Sequence, residues 1–166
     1  VSVRPPGRAV VVVASTSSAA GRSVDRTGPV IAEWLRSRGF ETEAPAVVPD
    51  GRPVATAVRD AVAAGCAVVI VTGGTGVSRT DRTPEAVDPL LDTRVPGLIE
   101  EIRRRGLASS PLALITRGVA GFAGGTFVIT LPGSPGGVAD GLDVLGGVLE
   151  HLLSQRTGPE SRHPQR

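Results

Sequence analysis

Residues 72–86 read Thr-Gly-Gly-Thr-Gly-Val-Ser-Arg-Thr-Asp-Arg-Thr-Pro-Glu-Ala and follow directly on an apolar run, 67–71. Gly73, Gly74 and Gly76, set around Thr75, let backbone N–H groups converge on an anion with no side chains in the way. Ser78, Arg79, Thr80, Asp81 and Arg82 then supply hydroxyls, guanidinium groups and a carboxylate. Pro84 opens a helix whose N-terminal N–H groups also attract anions. A tight turn would explain the glycines alone; the charges and hydroxyls beside them point to phosphate chemistry. A second loop, Leu131-Pro132-Gly133-Ser134-Pro135-Gly136-Gly137, repeats the theme. Ser134 suits an N-cap with Pro135 at the first helical position, and the same hydroxyl and N–H groups suit a phosphate or a purine edge. Asp50 precedes Gly51 at another helix start, where a turn or capping duty and a catalytic or metal-binding duty are both open. Asp25 either caps the helix that follows it or approaches the site.

Composition narrows that chemistry. All 18 basic side chains of the 166 residues are Arg, so neither a Walker loop ending in Gly-Lys-Ser/Thr nor Schiff-base catalysis is available. A dinucleotide fingerprint belongs after the first strand with other spacing. Cys66 is the single cysteine and sits in an apolar stretch, which makes it a core residue. His151 and His163 both lie near the C-terminus, poorly placed for a metal site or a Ser-His-Asp triad. The pI is about 9.9, yet the net charge is only +2 and 2% of residues are aromatic, which argues against nucleic-acid binding. No apolar stretch approaches the roughly 18 residues of a membrane span. Arg4 and Arg8 before the apolar run 9–14 imitate a signal peptide, but six mostly Val residues suit a buried strand, and the expected location is the cytoplasm.

The elements that must carry these loops alternate along the chain. Strands are expected at 9–14, 41–48, 67–71, 112–116 and 126–131, with Pro45 marking an edge or bend in the second. Helices are expected at 28–38, 52–64, 84–91, 96–105 and 135–155. In the first, Val30, Ile31, Trp34 and Leu35 share a face, with Trp34 as a core anchor. In the fourth, Glu100 can pair with Arg104 and Glu101 with Arg105, leaving the arginine run a solvated face. In the last, Val138, Leu142, Leu145, Leu149 and Leu152 form one seam. Apolar strands between amphipathic helices imply an α/β domain with a mostly parallel sheet covered on both faces. Ligands then belong outside the carboxyl ends of the strands, in the loops after Ala14, Val71, Thr116 and Leu131. One domain is expected over 8–155, with a loose leader at 1–7 and a frayed tail at 156–166.

Taken in order, these motifs resemble the molybdopterin adenylyltransferases, the MogA/MoaB family with the related domain of gephyrin. The resemblance rests on Ser15, Gly21, Asp25 and Gly28; residues 72–76 with Asp81 and Thr83-Pro84-Glu85-Ala86; Pro96-Gly97-Leu98-Ile99-Glu100; Arg117; and Leu131-Pro132-Gly133-Ser134-Pro135. It covers about residues 8–155 and looks most like a stand-alone member of actinobacterial type. It implies a three-layer α/β/α sandwich, a homotrimer, and transfer of AMP from Mg-ATP to the terminal phosphate of molybdopterin with release of pyrophosphate. The molybdate-insertion protein is the implied downstream partner. Asp50 and Asp81 take the catalytic and Mg²⁺-binding places. Gly73, Gly74, Thr75, Gly76, Ser78, Arg79, Arg117, Pro132, Gly133 and Ser134 take the phosphate and substrate places, and Glu100 the pterin end. Departures are Thr16-Ser17 where many members carry Asp-Arg or Thr-Arg, and Thr116-Arg117 where they carry Ser-Arg. A non-catalytic MoaB-type pterin-binding or assembly protein is the alternative on the same fold.

Overall fold

The computed structural model describes residues 6–158; positions 1–5 of the expected leader and 159–166 of the expected tail lie outside the described residues. Three long strands form the centre. β1 (Arg8–Ala14), β4 (Val68–Thr72) and β7 (Thr126–Leu131) are side by side and parallel, as the continuous β-branched runs in each require. Two short strands, β2 (Glu41–Thr42) and β3 (Ala46–Val48), lie parallel to β1 on its outer side, and the break between them spans Pro45. Beyond β7 the sheet turns antiparallel through β6 (Ala120–Ala123) and β5 (Thr93–Arg94), giving the order β2-β1-β4-β7-β6-β5.

Alternate residues of these strands feed two separate cores. Val11, Val13, Val68, Ile70, Phe127, Ile129 and Leu131 join α2 (Gly28–Ser37), α5 (Pro96–Gly106) and α6 (Pro135–Gly146) on one face. Val12, Ala14, Val69, Val71 and Val128 join α3 (Arg52–Ala63) and α4 (Thr83–Val87) on the other. With side chains alternating across a strand, this partition is the three-layer α/β/α sandwich expected from the sequence. Cys66 is buried in the second core, as expected. No helix of the described residues is long and apolar enough to cross a membrane.

Several elements depart from expectation. The predicted strand 112–116 is a 3-10 helix, Pro111–Ile115. Pro111 brings no N–H to a ladder, and Ser110 Oγ accepts the Leu112 N–H at 3.2 Å, so the chain is capped as a helix and Leu112 and Leu114 stay 69% and 63% exposed. The place beside β7 goes instead to β6, returned by the Gly124-Gly125 turn. The predicted helix 84–91 is α4 followed by a 3-10 turn, Asp88–Leu90, because Pro89 interrupts the ladder of N–H donors. The predicted helix 135–155 is α6 and a separate α7 (Leu149–Thr157), broken at Gly146-Gly147 where helix propensity is poor. Its seam persists through Leu149, while Leu152 is only half-buried.

Trp34 is not the core anchor of α2: Ile31, Ala32 and Leu35 are buried there, Val30 is 54% exposed, and Trp34 is half-buried with the Arg38 guanidinium 4.4 Å from its ring centre. Arg156, expected to begin a frayed tail, instead lies within α7 and donates to Asp92 Oδ1 at 2.6 Å and Gly124 O at 2.9 Å. On α5, Glu101 takes both Arg104 and Arg105, so the expected Glu100–Arg104 pair does not form. That double pairing holds the Glu101 carboxyl down at about 2.

Candidate active site

Because β1, β3, β4 and β7 are parallel, the chain leaves all four at one edge of the sheet, and their loops are knitted together there. Ser15 N–H donates to Val48 O at 2.9 Å, and Asp50 N–H donates to Thr16 Oγ1 at 3.3 Å, tying the loop after β1 to the loop after β3. Gly73 N–H donates to Leu131 O at 3.1 Å and Thr72 Oγ1 to Pro132 O at 2.9 Å, tying the loop after β4 to that after β7. The buried Thr83 reaches back from α4 to Gly73 O at 2.8 Å through its hydroxyl and to Gly74 O at 3.0 Å through its N–H. Gly73 and Gly74 have φ of +89° and +66°, a backbone that L side chains rarely adopt. A Cβ on Gly73 would overlap Ala14 O, and one on Gly74 would overlap Asp50 Oδ2 and Thr83 Oγ1. The glycines are therefore required by both conformation and crowding.

Asp50 and Asp81 are both half-buried and both border this loop. Arg82 N–H donates to Asp50 Oδ1 at 3.1 Å, and Ser78 N–H donates to Asp81 Oδ2 at 3.0 Å. Each carboxylate thus accepts from the backbone of the 78–82 turn, and Asp81 Oδ2 would be 2.7 Å from a Cβ on Gly76. Burial pushes the Asp50 carboxyl above its ordinary value; the N–H groups of Arg82 and Gly51 pull it back, and the nearby Asp81 and Glu85 charges push it up again. The Asp81 charge thus adds to the cost of ionising Asp50, a cost that a bound cation would relieve. Among the described residues no group of three or more His, Cys, Asp or Glu side chains comes together. Two carboxylates completed by water and phosphate oxygens is nevertheless the manner in which Mg²⁺ is commonly held.

A cavity of about 390 Å³ opens beside the glycine loop, lined by Ser15, Ser18, Asp25, Thr72, Gly73 and Gly133. A second cavity, also about 390 Å³, lies against Ile102, Thr116, Pro132, Ser134, Gly137 and Asp140. The turn 132–135 contributes to both. Ser134 caps α6, accepting the Gly137 N–H at 3.1 Å, as the capping reading of the sequence had it. Asp25 Oδ1 accepts the N–H groups of Thr27 and Gly28, each at 3.0 Å, at the start of α2, and the residue lines the first cavity.

Other sequence candidates are placed differently. Arg117 faces inward onto the glycine loop: Nε donates to Gly76 O at 2.7 Å, Nη2 to Asp81 O at 3.0 Å, and Nη1 pairs with Glu85. That pairing holds the Glu85 carboxyl below its ordinary range. Ser78 and Arg79 are exposed on the outer turn of the loop, where Ser78 Oγ bonds Thr80 Oγ1 at 3.0 Å. Glu100 is exposed on α5 and lines a separate cavity of about 120 Å³ with Arg94, Arg103 and Gly118; it is not gathered with Asp50 and Asp81. Reading the sequence missed the short helix α1 (Thr16–Ala19), capped by Ser15, and the use of Thr83 and Glu85 as loop supports. The Thr-Pro-Glu run at the start of α4 was the available signal for the last two.

Fold and loops together define a doubly covered α/β domain whose glycine loop, two half-buried carboxylates and helix-opening turns lie at the carboxyl edge of parallel strands. The chain belongs to the family described as the probable molybdopterin binding domain, whose model matches residues 10–151. It is 33% identical to the molybdopterin adenylyltransferase of Pyrococcus furiosus, over 86% of this chain and 87% of that protein. It is 35% identical to the molybdenum cofactor biosynthesis bifunctional protein of Synechococcus elongatus over 92% of this chain but only 48% of the relative, so it spans about half the length of that protein. Among solved structures, the molybdopterin biosynthesis Mog protein from Mycobacterium ulcerans superimposes with a TM-score of 0.87 at 50% identity, covering 90% of this chain and 99% of that one.

Proposed function

We propose that the chain is a molybdopterin adenylyltransferase that works in the cytoplasm as a homotrimer, using Mg-ATP and handing its product to a molybdate-insertion protein. The observation that carries this reading is the convergence of Asp50 and Asp81 on the glycine loop 73–76, both held by backbone N–H groups. In the reaction, a terminal phosphate oxygen of molybdopterin attacks the α-phosphorus of ATP. A new P–O–P bond forms, the α–β bridging bond breaks, and pyrophosphate leaves.

Nucleotidyl transfer brings two polyanions together, so the protein must offset their repulsion and hold nucleophile and phosphorus in line. The backbone N–H groups of residues 74–76 and the N-terminus of α6 at Ser134 would offer positive charge density to phosphate oxygens, the Gly73 N–H being taken by Leu131 O. Asp50 and Asp81 would hold Mg²⁺, which when bound neutralises charge on the phosphates. Two cavities on either side of the 132–135 turn provide room for two substrates to meet there. A phosphate monoester is largely ionised near neutral pH, since its second pKa is about 6. No dedicated histidine base is then needed.

Incubating the purified protein with molybdopterin, ATP and Mg²⁺ tests this. Adenylyl-molybdopterin and pyrophosphate are the expected products. Molybdopterin binding without transfer would overturn the catalytic reading in favour of a pterin-binding or assembly protein. ATP binding indifferent to molybdopterin would overturn both.

A further inference from the structure

We propose that Arg117 is a positioning residue for Asp50, acting through the single peptide group that joins Asp81 to Arg82. The carbonyl of that peptide accepts from Arg117 Nη2 at 3.0 Å, and its N–H donates to Asp50 Oδ1 at 3.1 Å. In a planar trans peptide the C=O and N–H point in opposite directions. Drawing the carbonyl toward Arg117 therefore aims the N–H at Asp50. A charged donor on the carbonyl also polarises the peptide, strengthening the N–H as a donor.

The rest of the guanidinium serves the same end. Nε bonds Gly76 O at 2.7 Å, so one planar group closes the loop between Gly76 and Asp81, while the Arg117 N–H fastens to Thr75 O at 2.8 Å. Thr116 Oγ1 and Thr75 Oγ1 bond at 3.0 Å beside it. Glu85 pairs with Nη1 and offsets the positive charge. Three of the five guanidinium N–H donors of Arg117 are thus engaged by the protein itself, at a residue for which the sequence resemblance implied a phosphate-binding place. Lysine could not substitute, because its point-like ammonium cannot span two carbonyls in one plane as the fork does.

The catalytic part of this inference rests on the adenylyl-transfer reading; the geometric part does not, and the experiment separates them. Amide hydrogen exchange is followed by NMR on the full chain for wild type, R117A and R117K. Loss of the guanidinium should speed exchange of the Arg82 N–H by about tenfold or more, with amides of β4 and β7 unchanged, because charge-assisted bonds are worth somewhat more than the 1.4 kcal/mol of a tenfold change. R117K, which retains the charge and controls for a folding defect in R117A, should recover little of that protection. In AMP transfer, both variants should lose about a hundredfold in kcat, the scale of a small misplacement of a reacting group. Their KM values for ATP and molybdopterin should stay within about twofold, since uniform binding is untouched. A raised KM with kcat kept and Arg82 protection intact would make Arg117 a phosphate ligand and overturn the proposal. Exchange rising equally in β4 and β7 would overturn it as well, showing a general structural role. In a wild-type protein that transfers no AMP, the Arg82 exchange rate alone decides the positioning, and the failure belongs to the proposed function.

Discussion

Gly74 lies so close under Asp50 that a Cβ at position 74 would overlap Asp50 Oδ2. The glycine and the carboxylate stand on different loops, after β4 and after β3, and the parallel sheet brings them into contact. Gly74→Ala should therefore do two things: strain a φ of +66° and displace Asp50. The expected loss of stability is about 1–3 kcal/mol, the range for backbone strain of this kind, read as a lowered midpoint in urea. AMP transfer should fall further than stability does, because Asp50 is moved.

Asp81→Asn keeps an acceptor oxygen for the Ser78 N–H, so the loop should hold its shape and the thermal midpoint should stay close to wild type. Removing the charge should nevertheless lower AMP transfer by a factor on the order of a hundred or more, as for loss of one electrostatic stabiliser in a buried site. Molybdopterin affinity, measured by titration, should be nearly unchanged. Unchanged turnover would remove Asp81 from the site.

The pH dependence of stability should reveal Asp50. Its folded pKa is raised above the ordinary value of 3.8, chiefly by burial, so the folded protein binds the proton more tightly than the unfolded chain. Stability then falls as pH rises through that raised window, and the ionised group is a liability at neutrality. Asp50→Asn should raise the melting temperature at pH 7, with the gain shrinking as the pH falls through the raised folded value toward the ordinary one. Glu85 works in the opposite sense. Its pKa is lowered from 4.5 by Arg117, so its contribution is present above that value and is lost as pH falls through the folded pKa. Glu85→Gln should flatten the acid limb of the melting curve.

Ser134→Ala removes the acceptor for the Gly137 N–H. Loss of such a cap should cost about 1 kcal/mol, measured as a shift of the denaturation midpoint, and Ser134→Asp should restore most of it. Activity separates the roles further: Asp at this position places a negative charge where a phosphate would lie, so stability should return while AMP transfer does not.

Much of this organisation was legible in the sequence because it is local. The Val-rich runs of β1 and β4, the glycines at 73, 74 and 76, and the Ser134-Pro135 helix start each depend on neighbours within a few residues. The order of the loops along the chain and the exclusion of lysine-based phosphate loops were equally visible. The same local reading went wrong where two local solutions competed. At 112–116 the apolar run suggested a strand, and Pro111 with the Ser110 cap made a 3-10 helix. At 146–147 the apolar seam ran on, and two glycines broke the helix beneath it.

Partnerships were decided only by the tertiary structure. Arg117 lies 41 residues from Gly76 and 36 from Asp81 in sequence, and nothing local says whether a guanidinium at that point faces a ligand or a carbonyl. Glu100 stands in a motif of its own, residues 96–100, and on α5 it lines a different cavity with Arg94, Arg103 and Gly118. Residue types and turn chemistry set which loops expose glycine backbone, hydroxyls and carboxylates. The parallel arrangement of β1, β3, β4 and β7 sets which of them meet, because it delivers their carboxyl ends to one edge.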